Sequence, residues 1–254
     1  MNAPRITIDR AIVTRILAVV AALFVVINLG MQWYRIHAGK EYVSGLAMMS
    51  LDGEHNLPEL FSTLLLLGAA ALLTLITLLE RARRGRDTGK WALLAAGFVC
   101  MAVDESLSLH EALIEPVRHL LGGGELGLFY FAWVVPALVL IVALGIYFLP
   151  FMLRLPRRTM LAFAASAAIY LGGAVGVELF EGMYREHHAY RTLGFHLLVT
   201  LEEGMEMTGV IAFIHALLGH IAGRFGEIRL GVTGVAVASQ EAAHTIGRPS
   251  PTSP

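Results

Sequence analysis

The chain has 254 residues, of which 56% are hydrophobic and 15% are charged, and its mean hydropathy is +0.67. Because a soluble domain carries about 25% charged residues, this composition indicates a membrane protein rather than a soluble one. The formal net charge of −1 argues against nucleic-acid binding, and the single cysteine excludes an intrachain disulfide.

Six apolar runs each approach the roughly 20 residues that a helix needs to cross a bilayer. They lie near residues 16–34, 60–79, 91–109, 128–152, 159–180 and 193–222. The first run continues to Trp33 and Tyr34 without a small-residue cleavage site, so we predict a helix there and not a secretory signal. The runs predict an all-α fold, a six-helix transmembrane bundle over residues 1–224. The tail at 225–254 loses hydrophobic periodicity and ends in Pro and Ser, which predicts a largely disordered segment.

Basic residues predict the orientation of the bundle, because Lys and Arg accumulate in cytoplasmic loops. Of the 19 Lys and Arg residues, 14 lie in the N-terminus, in the segments at 81–90 and 154–158, and in the chain from Arg224 onward. Both termini are therefore expected to be cytoplasmic, in the cytoplasmic (inner) membrane of a bacterium. The acids have the opposite distribution, since 15 of the 20 Asp and Glu residues lie near the outer ends of helices or in outer loops.

Several of these acids lie within the apolar runs themselves. At about 1.5 Å per residue from the cytoplasmic ends, Glu59, Asp104, Glu178 and Glu203 all reach the outer half of the membrane. At about 100° per residue, the acids of each helix also share one face. These polar stripes are Asp104, Ser108 and Glu111; Glu178 and Glu181; and His196, Glu202, Glu203 and Glu206. Because ionisable groups in membrane spans usually face the bundle interior, we expect the stripes to converge on one site.

Converging carboxylates require a compensating charge. Two like charges about 4 Å apart repel by roughly 4 kcal/mol at an effective dielectric of about 20, so a cation, shared protons or water must lie between them. We predict a bound divalent metal with ligands drawn from Glu59, Asp104, Glu178, Glu181, His196, Glu203 and Glu206. An oxygen-rich site suits Ca²⁺, Mg²⁺ or Mn²⁺, and Fe or Zn become candidates if His110 and His196 both coordinate. The alternative is that the acids pair with Arg118, Arg185 or Arg191, or line a solvated vestibule.

A second group of oxygen ligands precedes the second helix, in the segment LDGEHNLPELFST at 51–63. Asp52, Glu54 and Asn56 alternate as ligands do in calcium loops, which suggests a second, calcium-binding site. The same segment also fits a helix start, with Asn56 as N-cap, Pro58 in the first turn and Glu59 three residues after the cap. The two interpretations are compatible, and both are kept.

The chain carries four motifs: DxExNxPE (Asp52 to Glu59), DExxxxHE (Asp104, Glu105, His110 and Glu111), GVE at 176–178 and LEExxEM at 201–207. Together they resemble a family of small bacterial multi-pass membrane proteins without an established activity. The segment DGEHN with its downstream Glu59 also resembles the calcium-binding segment of alkaline ceramidases, in the CREST group of membrane hydrolases. That resemblance implies a zinc site with an HxxxH pair on a late helix, whereas this chain offers His196 and His215, which are spaced differently.

Two functions fit these features. In the first, the metal site belongs to a hydrolase-like enzyme in which Glu111 or His110 acts as general base on a lipid or lipid-soluble substrate. In the second, the acids serve a cation- or proton-coupled transporter. The inner halves of the spans offer almost no polar path, which favours the enzyme. The expected partners are membrane lipids and a small-molecule or lipid substrate, without nucleic acid, and the oligomeric state is left open.

Overall fold

The computed structural model describes residues 9–38, 47–188 and 192–226, and the regular secondary structure of these residues is helical throughout. The α-helices are α1 Arg10–Ala38, α2 Leu57–Ala82, α3 Thr88–Leu107, α4 Ile114–Leu120, α5 Val134–Met152, α6 Arg157–Leu171, α7 Glu178–His187 and α8 Leu193–Phe225. Short 3₁₀ turns occur at Ala47–Met49, Glu111–Leu113 and Gly127–Phe129. The predicted disordered tail lies, beyond Gly226, outside the described residues.

The helices agree with the predicted apolar runs in position, but the third run corresponds to a helix that is followed by a sharp bend. Five stretches are long and apolar enough to span a membrane, and one of them runs without interruption over Arg157–His187. A sixth span requires α3 to be combined with Glu111–Leu120, to which it is bent by 78°. The fifth predicted run is continuous because a segment of π-helix, Gly172–Val177, joins α6 to α7. This architecture is compatible with a multi-pass membrane protein.

Helix α8 is the centre of the bundle, and it packs against α1, α2 and α6. Its buried side chains meet the fully buried face of α2, which includes Leu66, Leu73 and Ile76. Trp91 of α3 closes the core, with its ring edge-on to Phe151 at a centroid distance of 4.9 Å. By contrast, α1 and α5 keep most of their apolar side chains exposed, as expected of helices that face lipid tails.

Ion pairs bring several chain segments together at one end of the bundle. Arg154, after α5, donates to Asp87, which precedes α3, with an Nη2···Oδ1 distance of 2.5 Å. Arg224 of α8 donates through Nε to Oε1 of the buried Glu80 at 2.6 Å. The turns at 83–87 and 153–156 and the carboxyl end of α8 therefore share one end, called here the basic end. The acids of α3, α7 and α8 lie toward the opposite end, called here the acidic end.

The segment before α2 is fixed to the acidic end by side-chain amides. The fully buried Asn28 of α1 donates through Nδ2 to Thr200 Oγ1 of α8 at 2.8 Å, and its Oδ1 accepts the Leu51 N–H at 3.2 Å. Asn56 caps α2, since its Oδ1 accepts the Glu59 N–H at 3.0 Å, and its Nδ2 donates to Ser50 O. This segment thereby covers the acidic end of the α1–α8 pair.

Candidate metal site

Three glutamates meet at the acidic end. One carboxylate oxygen of each of Glu178, Glu181 and Glu202 lies within 4.8 Å of the other two. Glu181 is buried at 3% exposure, and the other two are partly buried. We call these residues the glutamate triad. Carboxylate oxygens at such spacing are typical ligands of hard divalent cations.

The π-helical segment explains why the triad forms. A Cβ atom on Gly173 would lie 2.8 Å from the carbonyl oxygen of Glu202, so only glycine allows the two backbones to approach this closely. Directly after this contact, Glu178 and Glu181 follow one turn apart at the start of α7. The extra residue of a π-helix rotates the side chains that follow it, and such segments occur frequently at functional sites. The segment therefore sets both the spacing from α8 and the direction of the two carboxylates.

Each member of the triad has a different set of contacts. Trp133, just before α5, donates its indole Nε1–H to Glu178 Oε1 at 2.8 Å. Glu202 contacts the carboxylates of both Glu178 and Glu181 closely enough to share a proton with them. The Oε1 atom of Glu181 is buried and has no hydrogen-bond partner. An acceptor oxygen that is buried without a donor is costly, so this site lacks a positive group or a proton.

The arginines at this end have other partners. Arg118 donates to the carbonyl oxygens of Tyr130 at 2.8 Å and Gly124 at 3.2 Å. Arg185 donates to the carbonyl oxygen of His188, and Arg191 lies outside the described residues. Within the ranges that the structure describes, no lysine or arginine lies at ion-pairing distance from the triad. The interpretation that the acids are neutralised by arginines therefore finds no support in these contacts.

A carboxylate–imidazole pair lies beside the triad. Asp104 accepts the backbone N–H of His110 at 2.8 Å through Oδ1, and its Oδ2 lies 2.9 Å from His110 Nδ1. Ser108 makes this possible, because its left-handed backbone (φ +46°) ends α3 and turns the chain back on itself. The His110 ring also packs on Trp133 at a centroid distance of 4.6 Å. Trp133 thus contacts both the Asp104–His110 pair and the triad.

A second carboxylate–imidazole contact forms where the loop before α2 reaches α8. His196 Nδ1 lies 3.0 Å from Asp52 Oδ2, with the imidazole buried and the carboxylate about one third exposed. The two atoms are close, but their geometry is not that of a hydrogen bond, and His196 Nδ1 has no hydrogen-bond partner. The pair lies at the acidic end but outside the triad.

The remaining predicted ligands lie around the triad. Glu203 interacts electrostatically with Glu59, Glu105, Glu181 and Asp52. Glu206 interacts with Glu105, Asp104, Glu178 and Glu203. Glu59 uses its Oε2 to accept the His55 N–H at 2.5 Å. The structure therefore brings the predicted ligands to one end of the bundle but groups only Glu178 and Glu181 of them within the triad.

The three predicted ligands of the calcium site lie in three different environments. Asp52 reaches His196, Glu54 is exposed to solvent, and Asn56 caps α2. The capping interpretation is thus present in the structure, while calcium binding stays a prediction. Glu111, the alternative general base, is exposed in the 3₁₀ turn after His110.

Sequence reasoning placed Glu202 on the acidic face of α8 but omitted it from the predicted ligands. Glu203 and Glu206 were predicted as ligands instead, because a spacing of three residues puts two carboxylates on one helical face. Glu202 joins the triad because α7 lies next to it, and the spacing of residues within α8 does not indicate where α7 lies. Trp133 was also missed, since a tryptophan near a membrane interface is usually an anchor there.

Comparison with known proteins identifies a family and no further relative. No curated protein and no solved structure matches the chain. A family described as "Domain of unknown function (DUF8692)" matches residues 16–221, which include the triad and both carboxylate–imidazole pairs. This match is compatible with the resemblance to an uncharacterised membrane family, and it leaves the resemblance to ceramidases unconfirmed. The chain belongs to the DUF8692 family.

Proposed function

We propose that this protein binds a divalent cation at the glutamate triad, within a six-span bundle of the bacterial inner membrane. The observation that carries the proposal is the buried, unpartnered Oε1 of Glu181 beside two further carboxylates. A divalent ion would supply the missing positive charge and accept all three oxygens as ligands. The all-oxygen set favours Mg²⁺, Mn²⁺ or Ca²⁺ over Zn²⁺.

We further propose that the site is that of a hydrolase-like enzyme, with His110 as general base. Asp104 accepts from Nδ1 of the imidazole, which leaves Nε2 as the basic atom. An aspartate that orients a histidine in this way supports proton transfer at neutral pH. When bound, a divalent ion would polarise a substrate carbonyl or phosphoryl oxygen, or activate water. The exposed Glu111 is the second candidate for the base.

The location of the triad suggests the class of substrate. If both termini are cytoplasmic, the acidic end lies at the outer face of the membrane, within reach of the outer leaflet. Leucines in and around the bent segment after α3 remain exposed, among them Leu107, Leu113 and Leu120. Exposed leucines at an interface insert among lipid tails, so a lipid or lipid-soluble substrate would enter from the side.

Cation- or proton-coupled transport is the alternative, and one observation favours it. The acids continue below the triad through Glu206 and Glu105, toward the middle of the bundle. Nearer the basic end, however, α2 and α8 meet through Leu73, Ile76 and Leu217, which are fully buried and apolar. A transport path would have to open this contact.

Metal binding by purified protein in detergent tests the proposal. We expect elemental analysis to find a bound divalent metal, and added Mn²⁺ to raise the unfolding temperature, because a ligand at about 100 times its Kd stabilises by about 2.7 kcal/mol. Glu181→Gln and Glu202→Gln should weaken this response. His215→Gln is the matched control, because His215 lies on the same helix but contacts Thr14 Oγ1 of α1 at 2.8 Å. If wild type and both glutamate variants respond alike to every divalent ion, the triad shares protons and holds no metal.

A further inference from the structure

We propose that a second cation site lies one helical turn below the triad, separate from it. A cavity of about 10 Å³ lies there between α2, α3, α6 and α8. Its polar lining is Ser62, Glu105, Tyr170 and Glu206, and its apolar lining is Leu65, Leu66, Met207 and Val210. We call this cavity with its four polar residues the inner chamber.

The hydroxyl group of Ser62 indicates that the inner chamber is built for a ligand. Ser62 is buried at 7% exposure, and its Oγ has no hydrogen-bond partner among the described residues. It lies beside the Glu105 carboxylate, close enough to interact with it. Serine hydroxyls inside helices usually donate to the carbonyl four residues earlier, as Ser166 does to Ala162 O at 2.8 Å. Ser62 therefore keeps an oxygen free to coordinate.

Charge determines which kind of ligand fits. Glu105 and Glu206 interact electrostatically with each other, and both interact with Tyr170. Within the described part of the chain, no lysine or arginine forms an ion pair with either carboxylate. Two carboxylates in an apolar surrounding must either take up protons or share a compensating positive charge. A divalent cation would supply that charge, and the hydroxyl groups of Ser62 and Tyr170 would complete an all-oxygen set.

The size of the cavity restricts the ligand further. A volume of about 10–15 Å³ holds one water molecule, so the inner chamber admits one dehydrated ion and excludes a hydrated one. Oxygen ligands lie about 2.0–2.6 Å from such ions, a distance that four converging side chains can supply. A small hard ion such as Mn²⁺ or Mg²⁺ therefore fits best.

The inner chamber and the triad share no residue. Glu206 follows Glu202 by four residues, which is about 6 Å along α8. A Cβ on Gly173 would lie 3.3 Å from Glu206 Cγ as well as 2.8 Å from Glu202 O, so the same π-helical segment packs over both glutamates. The two sites are neighbours with separate ligand sets, and each can be removed without the other.

Counting bound Mn²⁺ in purified protein, by elemental analysis and electron paramagnetic resonance, tests the inner chamber. Wild type should bind two ions per chain, Glu105→Gln one, Glu181→Gln one, and the double variant none. Ser62→Ala should lower the Mn²⁺ affinity of the inner chamber about tenfold, because a supporting group is lost. Ser166→Ala should leave the affinities of both sites unchanged. If Glu105→Gln does not fold, the comparison of Ser62→Ala with Ser166→Ala carries the test.

The outcomes for the two sites are distinguishable. A single ion that is lost in Glu181→Gln and kept in Glu105→Gln would overturn the inner chamber and leave the triad as proposed. A single ion with the reverse behaviour would support the inner chamber and overturn the triad. A single ion that is lost in both variants would mean one shared site and would overturn the separation of the two sites. Equal Mn²⁺ affinities in Ser62→Ala and wild type would overturn the inner chamber. No bound ion in wild type would overturn both sites.

Discussion

Trp133 is the residue that joins the two chemical parts of the candidate site. Its indole N–H donates to one oxygen of Glu178, and its ring packs against the imidazole of His110. Partners of this kind orient ligands without touching a metal, and their loss typically lowers metal affinity by about 10–100-fold. The triad and the Asp104–His110 pair are therefore linked through contacts with one side chain.

Asp104 sets the tautomer of His110, and this can be measured directly. Because the carboxylate accepts from Nδ1, we expect His110 to carry its proton on Nδ1 when neutral. Asp104→Asn should shift the proton to Nε2, since the amide can turn its NH₂ group toward the ring and donate to Nδ1. Nitrogen-15 shifts of labelled histidines report the tautomer. His215→Gln should leave the His110 signal unchanged, and an unchanged His110 signal in Asp104→Asn would mean that the aspartate does not orient the ring.

Among the elements, the π-helical segment has the clearest consequence for the site. Gly173→Ala places a methyl group 2.8 Å from Glu202 O, and this contact forces α6 and α8 apart. Overpacking of this kind typically costs about 1–3 kcal/mol. We expect a lower unfolding temperature in detergent and a weaker response to Mn²⁺.

Gly176→Ala is the matched control for this prediction. It lies in the same π-helical segment, but its added Cβ would meet nothing closer than Leu171 O at 3.9 Å. The control should retain both stability and metal response. If the two alanine variants behave alike, the close approach at Gly173 does not control the site.

A variant at the start of α2 tests whether Asn56 only caps the helix or also binds calcium. Asn56→Ala removes the acceptor for the Glu59 N–H, and the loss of an N-cap typically costs about 0.5–2 kcal/mol. In the capping interpretation, Ca²⁺ changes the stability of wild type and of the variant to the same extent, because Asn56 is then not a ligand. In the calcium interpretation, Ca²⁺ stabilises wild type and loses much of its effect in Asn56→Ala. Thermal unfolding with Ca²⁺ and with a chelator separates the two.

At the level of elements, the sequence predicted more than it did at the level of contacts. Apolar runs located the long helices because burial in lipid constrains about 20 consecutive residues at once. The cap at Asn56 was also predictable, since its acceptor and donor lie three residues apart. The choice of Glu202 over Glu203 was not predictable, because it depends on where α7 lies after the π-helical segment. One extra residue in a turn rotates every later side chain, and GGAVGV carries no unambiguous mark of that change.

For the molecule as a whole, the separation of charge along the bundle is the feature that connects sequence and structure. The pairs Asp87–Arg154 and Glu80–Arg224 lie at one end, and the triad lies toward the other. The segments that meet at the basic end are among those that the distribution of Lys and Arg assigns to one side of the membrane. The side itself is set by the membrane and not by packing, so the fold alone does not give the orientation.

Reporter fusions test both the orientation and the number of spans. We expect fusions after residues 86 and 156 to be cytoplasmic, because Lys and Arg cluster there, and a fusion near residue 122 to be outside. The comparison of residue 86 with residue 122 is decisive for α3. If α3 crosses the membrane, the two reporters lie on opposite sides, and the chain has six spans with both termini on one side. If Thr88–Leu107 and Glu111–Leu120 form a re-entrant hairpin, the two reporters lie on the same side.

A fusion after residue 226 provides the control for the number of spans, because an even number returns the chain to the side of the N-terminus. We expect this reporter to be cytoplasmic as well. A complete inversion, with residues 86, 156 and 226 outside, would keep six spans but place the triad at the cytoplasmic face. A substrate would then have to come from the inner leaflet or the cytoplasm, and the proposed entry from the outer leaflet would be wrong even if the triad binds metal.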